Sequence, residues 1–223
     1  QTCAVCRKWQ RPMPSSVASV ELPEAFNKQV EADLMFISKV IIFNAICRCT
    51  RWYYAEVIDD KEAGTLLDAL DNWVRVHGPM KELIMDGELG LAASAKAETY
   101  FARHGIKFVP RAPGQQIGYI DRRGALVREV IHKIIGQLKA EGIKLPMKYI
   151  VSEACFASNA LISVNGCTPY NAVYGRVPNT LPPLDAPGLP TGDSDEVPAP
   201  GLIRHTNRLR EIFVQELVEG TAQ

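Results

Sequence analysis

Between Gln29 and Ile58 three strand-forming runs follow one another with scarcely room to turn, and this crowding limits the possible folds more than any other feature of the chain. Residues 29–37 are mostly apolar with a carboxylate in their middle, 40–47 are rich in β-branched side chains, and 52–58 are rich in aromatics. Parallel neighbours need a long crossover, so strands joined this tightly form an antiparallel meander. The period then changes. Residues 61–77 put Leu66, Leu70, Trp73 and Val74 on one helical face and stop at Gly78-Pro79. Short strands at 81–85 and 106–109 alternate with helices at 92–104, 120–140 and 147–162. Leu126, Val130, Ile131, Ile134, Ile135 and Leu138 form the apolar stripe of the longest helix. A meander followed by alternating helices and strands predicts an α/β domain. Its five-stranded sheet would be mixed, antiparallel in the meander and parallel beyond it, with helices on its faces.

With 223 residues, 47% of them hydrophobic, the chain can bury one sizeable core, which excludes wholesale disorder. No apolar run approaches the roughly 18–20 residues of a membrane span. Arg7, Lys8 and Arg11 follow the first residues without an apolar stretch, so no secretory signal opens the chain, and the absent initiator Met points to a piece of something longer. The six cysteines are too scattered for a disulfide scaffold; reduced intracellular thiols are expected, with Cys47, Cys49, Cys155 and Cys167 in or near the core. Basic and acidic residues balance at 25 each, but not locally. Ten acidic and four basic residues lie between Glu56 and Glu98, then nine basic and three acidic between Arg103 and Lys144. Such a basic segment either faces a polyanion or solvates a helix.

The organisation falls into four parts. Residues 1–27 carry Cys3, Cys6, a basic patch and Pro12, Pro14 and Pro23, the end of a small module and an extended linker. Residues 28–177 hold the core, 178–201 are a Pro-rich linker, and 202–223 form an amphipathic helix with no core of its own.

Two carboxylates sit where structure alone does not want them. Asp33 interrupts an apolar strand, where burial of an unpaired charge is costly. Asp86 ends a central-looking strand at a glycine turn, a common place for site residues in α/β sheets, although Asp-Gly also simply makes turns. Asp121 follows in the first turn of the long helix, where the dipole alone would favour an acid. Three convergent carboxylates suit Mg²⁺ or Mn²⁺, hard cations held by oxygen, and two such ions can clamp an in-line phosphoryl displacement. No phosphate-cradling glycine loop competes for the chemistry.

Several segments carry a resemblance. These are Val30-Glu31-Ala32-Asp33, Ile84-Met85-Asp86-Gly87-Glu88, the stretch from Ala112 through Gly118 and Asp121 to Arg122, and Asn165 to Pro178 with its Thr168-Pro169-Tyr170 and Gly175-Arg176. Together they resemble the retroviral and retrotransposon integrase catalytic core, of the ribonuclease-H-like fold, within a retroelement polyprotein. That resemblance implies a metal-dependent polynucleotidyl transferase that trims DNA 3′ ends and joins them to target DNA. Asp33, Asp86 and Asp121 would hold Mg²⁺ or Mn²⁺, and Arg122 and Arg128 would contact DNA; Tyr119, beside Asp121, either contacts a DNA end or packs into the core. Helical spacing places Asp121, Ala125, Arg128 and His132 on one face, away from the apolar stripe. Element ends and target DNA would be the partners, with a homo-oligomer, no membrane, and a nuclear or retroelement-particle location.

Two departures from the family's pattern matter. Its third acid is normally Glu, whereas this chain has Asp121, one residue closer to Asp86 than is usual. The shorter acid and spacing resemble mariner-like transposases. They equally suit a catalytically degenerate nucleic-acid-binding or assembly module, and a ribonuclease-H-like nuclease is a further alternative. At the front, Cys3 and Cys6 resemble half of the family's His-His-Cys-Cys zinc module. Two ligands cannot close a tetrahedral site, so zinc is not expected in this chain.

Overall fold

The computed structural model describes residues 23–86, 91–111, 118–164, 166–179 and 208–212. Cys3 and Cys6, Gly87 and Glu88, the loop 112–117 and most of the Pro-rich stretch lie outside the described residues. The meander forms as β1 (Gln29–Ile37), β2 (Val40–Cys47) and β3 (Tyr53–Ile58), followed by helix α1 (Ala63–His77) and strand β4 (Glu82–Asp86). Then come α2 (Ala95–His104), β5 (Lys107–Arg111), α3 (Gly118–Ala140), α4 (Met147–Leu161) and the short α5 (Pro169–Tyr174). The five strands are ordered β3-β2-β1-β4-β5. Pairing is antiparallel for β1–β2 and β2–β3 and parallel for β1–β4 and β4–β5.

Alternation along the strands sorts the side chains into two cores. Val30, Ala32 and Leu34 of β1 and Leu83 and Met85 of β4 pack with Leu66, Leu70 and Trp73 of α1 and Ala97 and Phe101 of α2. Met35, Ile37 and Ile84 face the other way, onto Ile120, Val127, Ile131 and Ile134 of α3 and Ala154 and Ala157 of α4. Adjacent tyrosines divide accordingly, Tyr53 entering the second core and Tyr54 packing against the first. Residues 208–212 are helical, and their Leu209 and Ile212 are buried in the second core.

Local chemistry explains the boundaries. Ser94 caps α2 by accepting from the Ala97 amide, and Gly105 ends it with φ 65°, a left-handed conformation that costs a residue with a Cβ. Strand β5 continues through Pro110, beyond the expected 106–109; it lies at the sheet edge, where a missing donor is tolerated. The stripe of α3 needs one correction. Leu126 is 45% exposed, and the buried line is Ile120, Arg123, Gly124, Val127, Ile131, Ile134 and Leu138. Helical phase set from Ile120 selects Val127 and turns Leu126 outward. At the opposite edge of the sheet, Asn159 of α4 holds the start of β3. Its Oδ1 accepts from the Tyr53 amide at 2.8 Å and its Nδ2 donates to the Tyr53 carbonyl at 2.7 Å.

Candidate functional site

The site is assembled where β1, β4 and the start of α3 meet. In the parallel β1–β4 pair the last matched residues are Ala32 and Met85, both in the first core. One step further, Asp33 and Asp86 leave neighbouring strands, about 4.8 Å apart, toward the α3 face. Asp33 is half-buried, as is Asp86 at the end of β4, while Asp121 is exposed in the first turn of α3.

Asp33 and Asp121 line one cavity of about 220 Å³ together with Met35, Asn44, Ile120, Gly124, Ala125 and Arg128. Burial pushes the Asp33 carboxyl above the usual range for an aspartate. The Leu34 amide pulls it back, the charges of Asp121 and Asp86 push it further up, and Arg128 again favours the anion. The three aspartates therefore share one electrostatic field although they are far apart in sequence. Their side chains do not close on a single point: among the described residues, no three His, Cys, Asp or Glu groups are arranged to hold a metal ion. The donor chemistry nevertheless fits a hard divalent cation. All three are carboxylates, and Asp33 is held in a setting where negative charge is in excess.

Two further polar residues frame Asp33. Asn44 lies opposite it in the β1–β2 register, is 2% exposed, and donates from Nδ2 to the Asp33 carbonyl at 2.8 Å. Glu31, two residues before Asp33 on the same strand face, is 1% exposed. Its Oε2 accepts from the backbone amides of Tyr119 at 3.1 Å and Ile120 at 2.9 Å, and its Oε1 lies 3.1 Å from Nε of Arg48. Burial pushes the Glu31 carboxyl up, and the Ile120 amide, Arg48, the Tyr119 amide and Arg111 each lower it. Sequence inspection gave neither residue a role. The signals available were a polar amide inside a β-branched run directly across from Asp33 and a second acid in the same apolar strand.

Of the expected DNA-contacting residues, Arg128 lines this cavity, and Tyr119 and Arg122 flank its Ile120 and Asp121 in sequence. Arg122 and Arg128 are exposed on α3, as are Ala125 and His132. Tyr119 is half-buried, with the Arg51 guanidinium 3.5 Å from its ring centroid and that of Arg48 at 5.5 Å. The neighbouring Arg123 points the other way. It is 6% exposed, donates to Ser158 Oγ at 2.9 Å, and burial lowers its pKa to about 10.

No family model and no curated protein matches this chain. Solved structures do. The magnesium complex of the HTLV-2 integrase catalytic core domain, dimeric form, superposes with a TM-score of 0.57 at 13% identity, over 66% of this chain and 96% of that one. The catalytic core domain of BIV integrase gives 0.55 at 17% identity, over 65% and 92%. A simian T-cell lymphotropic virus intasome in complex with a PP2A regulatory subunit gives 0.63 at 18% identity, over 86% and 69%. The order of strands, the mixed pairing and these superpositions converge on one architecture: the chain has the ribonuclease-H-like fold of retroviral integrase catalytic cores.

Proposed function

We propose that this chain is an integrase-type polynucleotidyl transferase that processes DNA 3′ ends and joins them to target DNA. One observation carries the proposal: Asp33 leaves the central strand within the electrostatic reach of both Asp86 and Asp121, in a sheet built like an integrase core. Asp33, Asp86 and Asp121 would hold Mg²⁺ or Mn²⁺; when bound, the ions supply charge stabilisation for the attacking and leaving oxygens of the phosphodiester. Arg128, exposed beside the cavity, and Arg122, one residue past Asp121, would hold the DNA backbone, since phosphate contacts fix register and orientation. The HTLV-2 core is known in dimeric and trimeric forms and the simian protein in an intasome, which supports a homo-oligomer acting on DNA here as well.

A specific observation also favours the alternative of a degenerate DNA-binding or assembly module: the third acid is Asp121, one methylene shorter than Glu, and it stands exposed while Asp33 and Asp86 are half-buried. Nicking of supercoiled plasmid in Mn²⁺ separates the two without needing a cognate end sequence. An active enzyme nicks, and Asp33→Asn abolishes the activity. A degenerate module is inert as it stands, and activity appearing only in Asp121→Glu marks decay from an active ancestor. Inertness of both proteins, with DNA binding retained, overturns the transferase proposal.

A further inference from the structure

The first turn of a helix leaves amides without intrahelical partners. In α3 the amides of Tyr119 and Ile120 are satisfied from another element, by the carboxylate of Glu31 on β1, at 3.1 and 2.9 Å. Asp121 is the next residue along. Glu31 is in turn fixed from its far side. Arg48 lies 3.1 Å from Oε1, and its Nη1 donates to Gln29 Oε1 at 2.9 Å. Gln29 donates to Glu82 at 2.7 Å, and Lys107 reaches the same carboxylate at 3.0 Å. A chain of polar contacts thus runs from β5 across β4 and β1 to the helix start. It ends one residue short of one candidate ligand and two residues short of another.

We infer that Glu31 is a positioning residue: it pins the first turn of α3 to β1 and so sets where Asp121 stands relative to Asp33 and Asp86. The inference deepens the metal-site proposal and rests on it only for the part concerning Asp121. A negative charge at a helix N-terminus is favoured by the helix dipole, and both oxygens of this one are engaged. Partners that orient metal ligands typically cost about 10–100-fold in metal affinity when removed.

Deleting Glu31 alone would strand a buried Arg48, so the test uses double variants of the full chain. Glu31→Ala with Arg48→Met removes acceptor and cation together. Glu31→Gln with Arg48→Met restores an acceptor without the charge. The first readout is hydrogen exchange at the Tyr119 and Ile120 amides in metal-free buffer. These amides are expected to exchange at least ~10-fold faster in the Ala variant and to regain protection in the Gln variant. The second readout is Mn²⁺ affinity by titration, with Asp33→Asn as the blank; it should fall about 10-fold in the Ala variant and recover in the Gln variant. Unchanged amide protection in the Ala variant overturns the inference, as does equal loss in both variants. So does lost protection accompanied by undiminished Mn²⁺ affinity. If wild type and Asp33→Asn take up Mn²⁺ alike, the metal-site proposal fails, and the exchange data alone decide whether Glu31 pins the helix.

Discussion

The position of Asp33 makes a statement about stability as well as chemistry. Its carboxyl is pushed above its unfolded value, by burial first and by Asp121 and Asp86 after that. The folded state therefore binds that proton more tightly than the unfolded chain does. The resulting stabilisation is complete below the unfolded pKa and is lost as pH rises through the raised folded value. Above that raised value, without metal, ionised Asp33 opposes folding. Asp33→Asn should accordingly raise Tm in EDTA at pH 7, with the gain shrinking as the pH falls into the ordinary aspartate range; calorimetry over that range checks it. A Tm gain in a variant that no longer nicks DNA would separate function from fold at one side chain. Arg128 supports a different expectation. It is exposed and lines the cavity with Asp33 and Asp121. Arg128→Ala should weaken DNA binding uniformly across sequences and reduce the slope of log affinity against log salt by about 1, measured by fluorescence anisotropy.

Helices and strands here obey local rules closely enough to be altered one at a time. Gly105 has φ 65° and its missing Cβ would meet nothing within 4 Å, so Gly105→Ala tests backbone conformation alone. A loss of about 1 kcal/mol is expected in urea unfolding, without change in m-value. These same rules explain what is legible in the sequence. The meander was legible because two-residue alternation and tight connections leave few other arrangements, and α1 because Leu66, Leu70, Trp73 and Val74 keep one phase up to a glycine stop. The inward turn of Arg123 was not, because its partner is Ser158, a helix away, and Arg122-Arg123 looks alike from either side. Glu31 was hidden for the same reason: the amides it satisfies lie 88 and 89 residues downstream. Asp33 and Asp86 could be singled out individually, but that they leave adjacent strands at one level depends on the parallel β1–β4 register, which no local pattern encodes.

The sheet carries apolar packing on both sides, with Trp73 at 0% exposure in one core and Ile131 at 0% in the other. Because both cores bury side chains of the same β1 and β4, neither should survive loss of the other. Trp73→Ala, which also removes a 2.9 Å hydrogen bond to Asn27, should cost about 3–5 kcal/mol. It should shift one coincident transition in circular dichroism and tyrosine fluorescence, not split it in two. Among the described residues no helix is long and apolar enough to cross a membrane. The sheet's lateral border has its own significance. Strand β3 is terminal in the order, and its outward-facing Tyr53 amide and carbonyl are both claimed by the carboxamide of Asn159. A side chain thus imitates a further strand at this border, and it denies a stray polypeptide the first rung of the ladder on which intermolecular β-aggregation would climb.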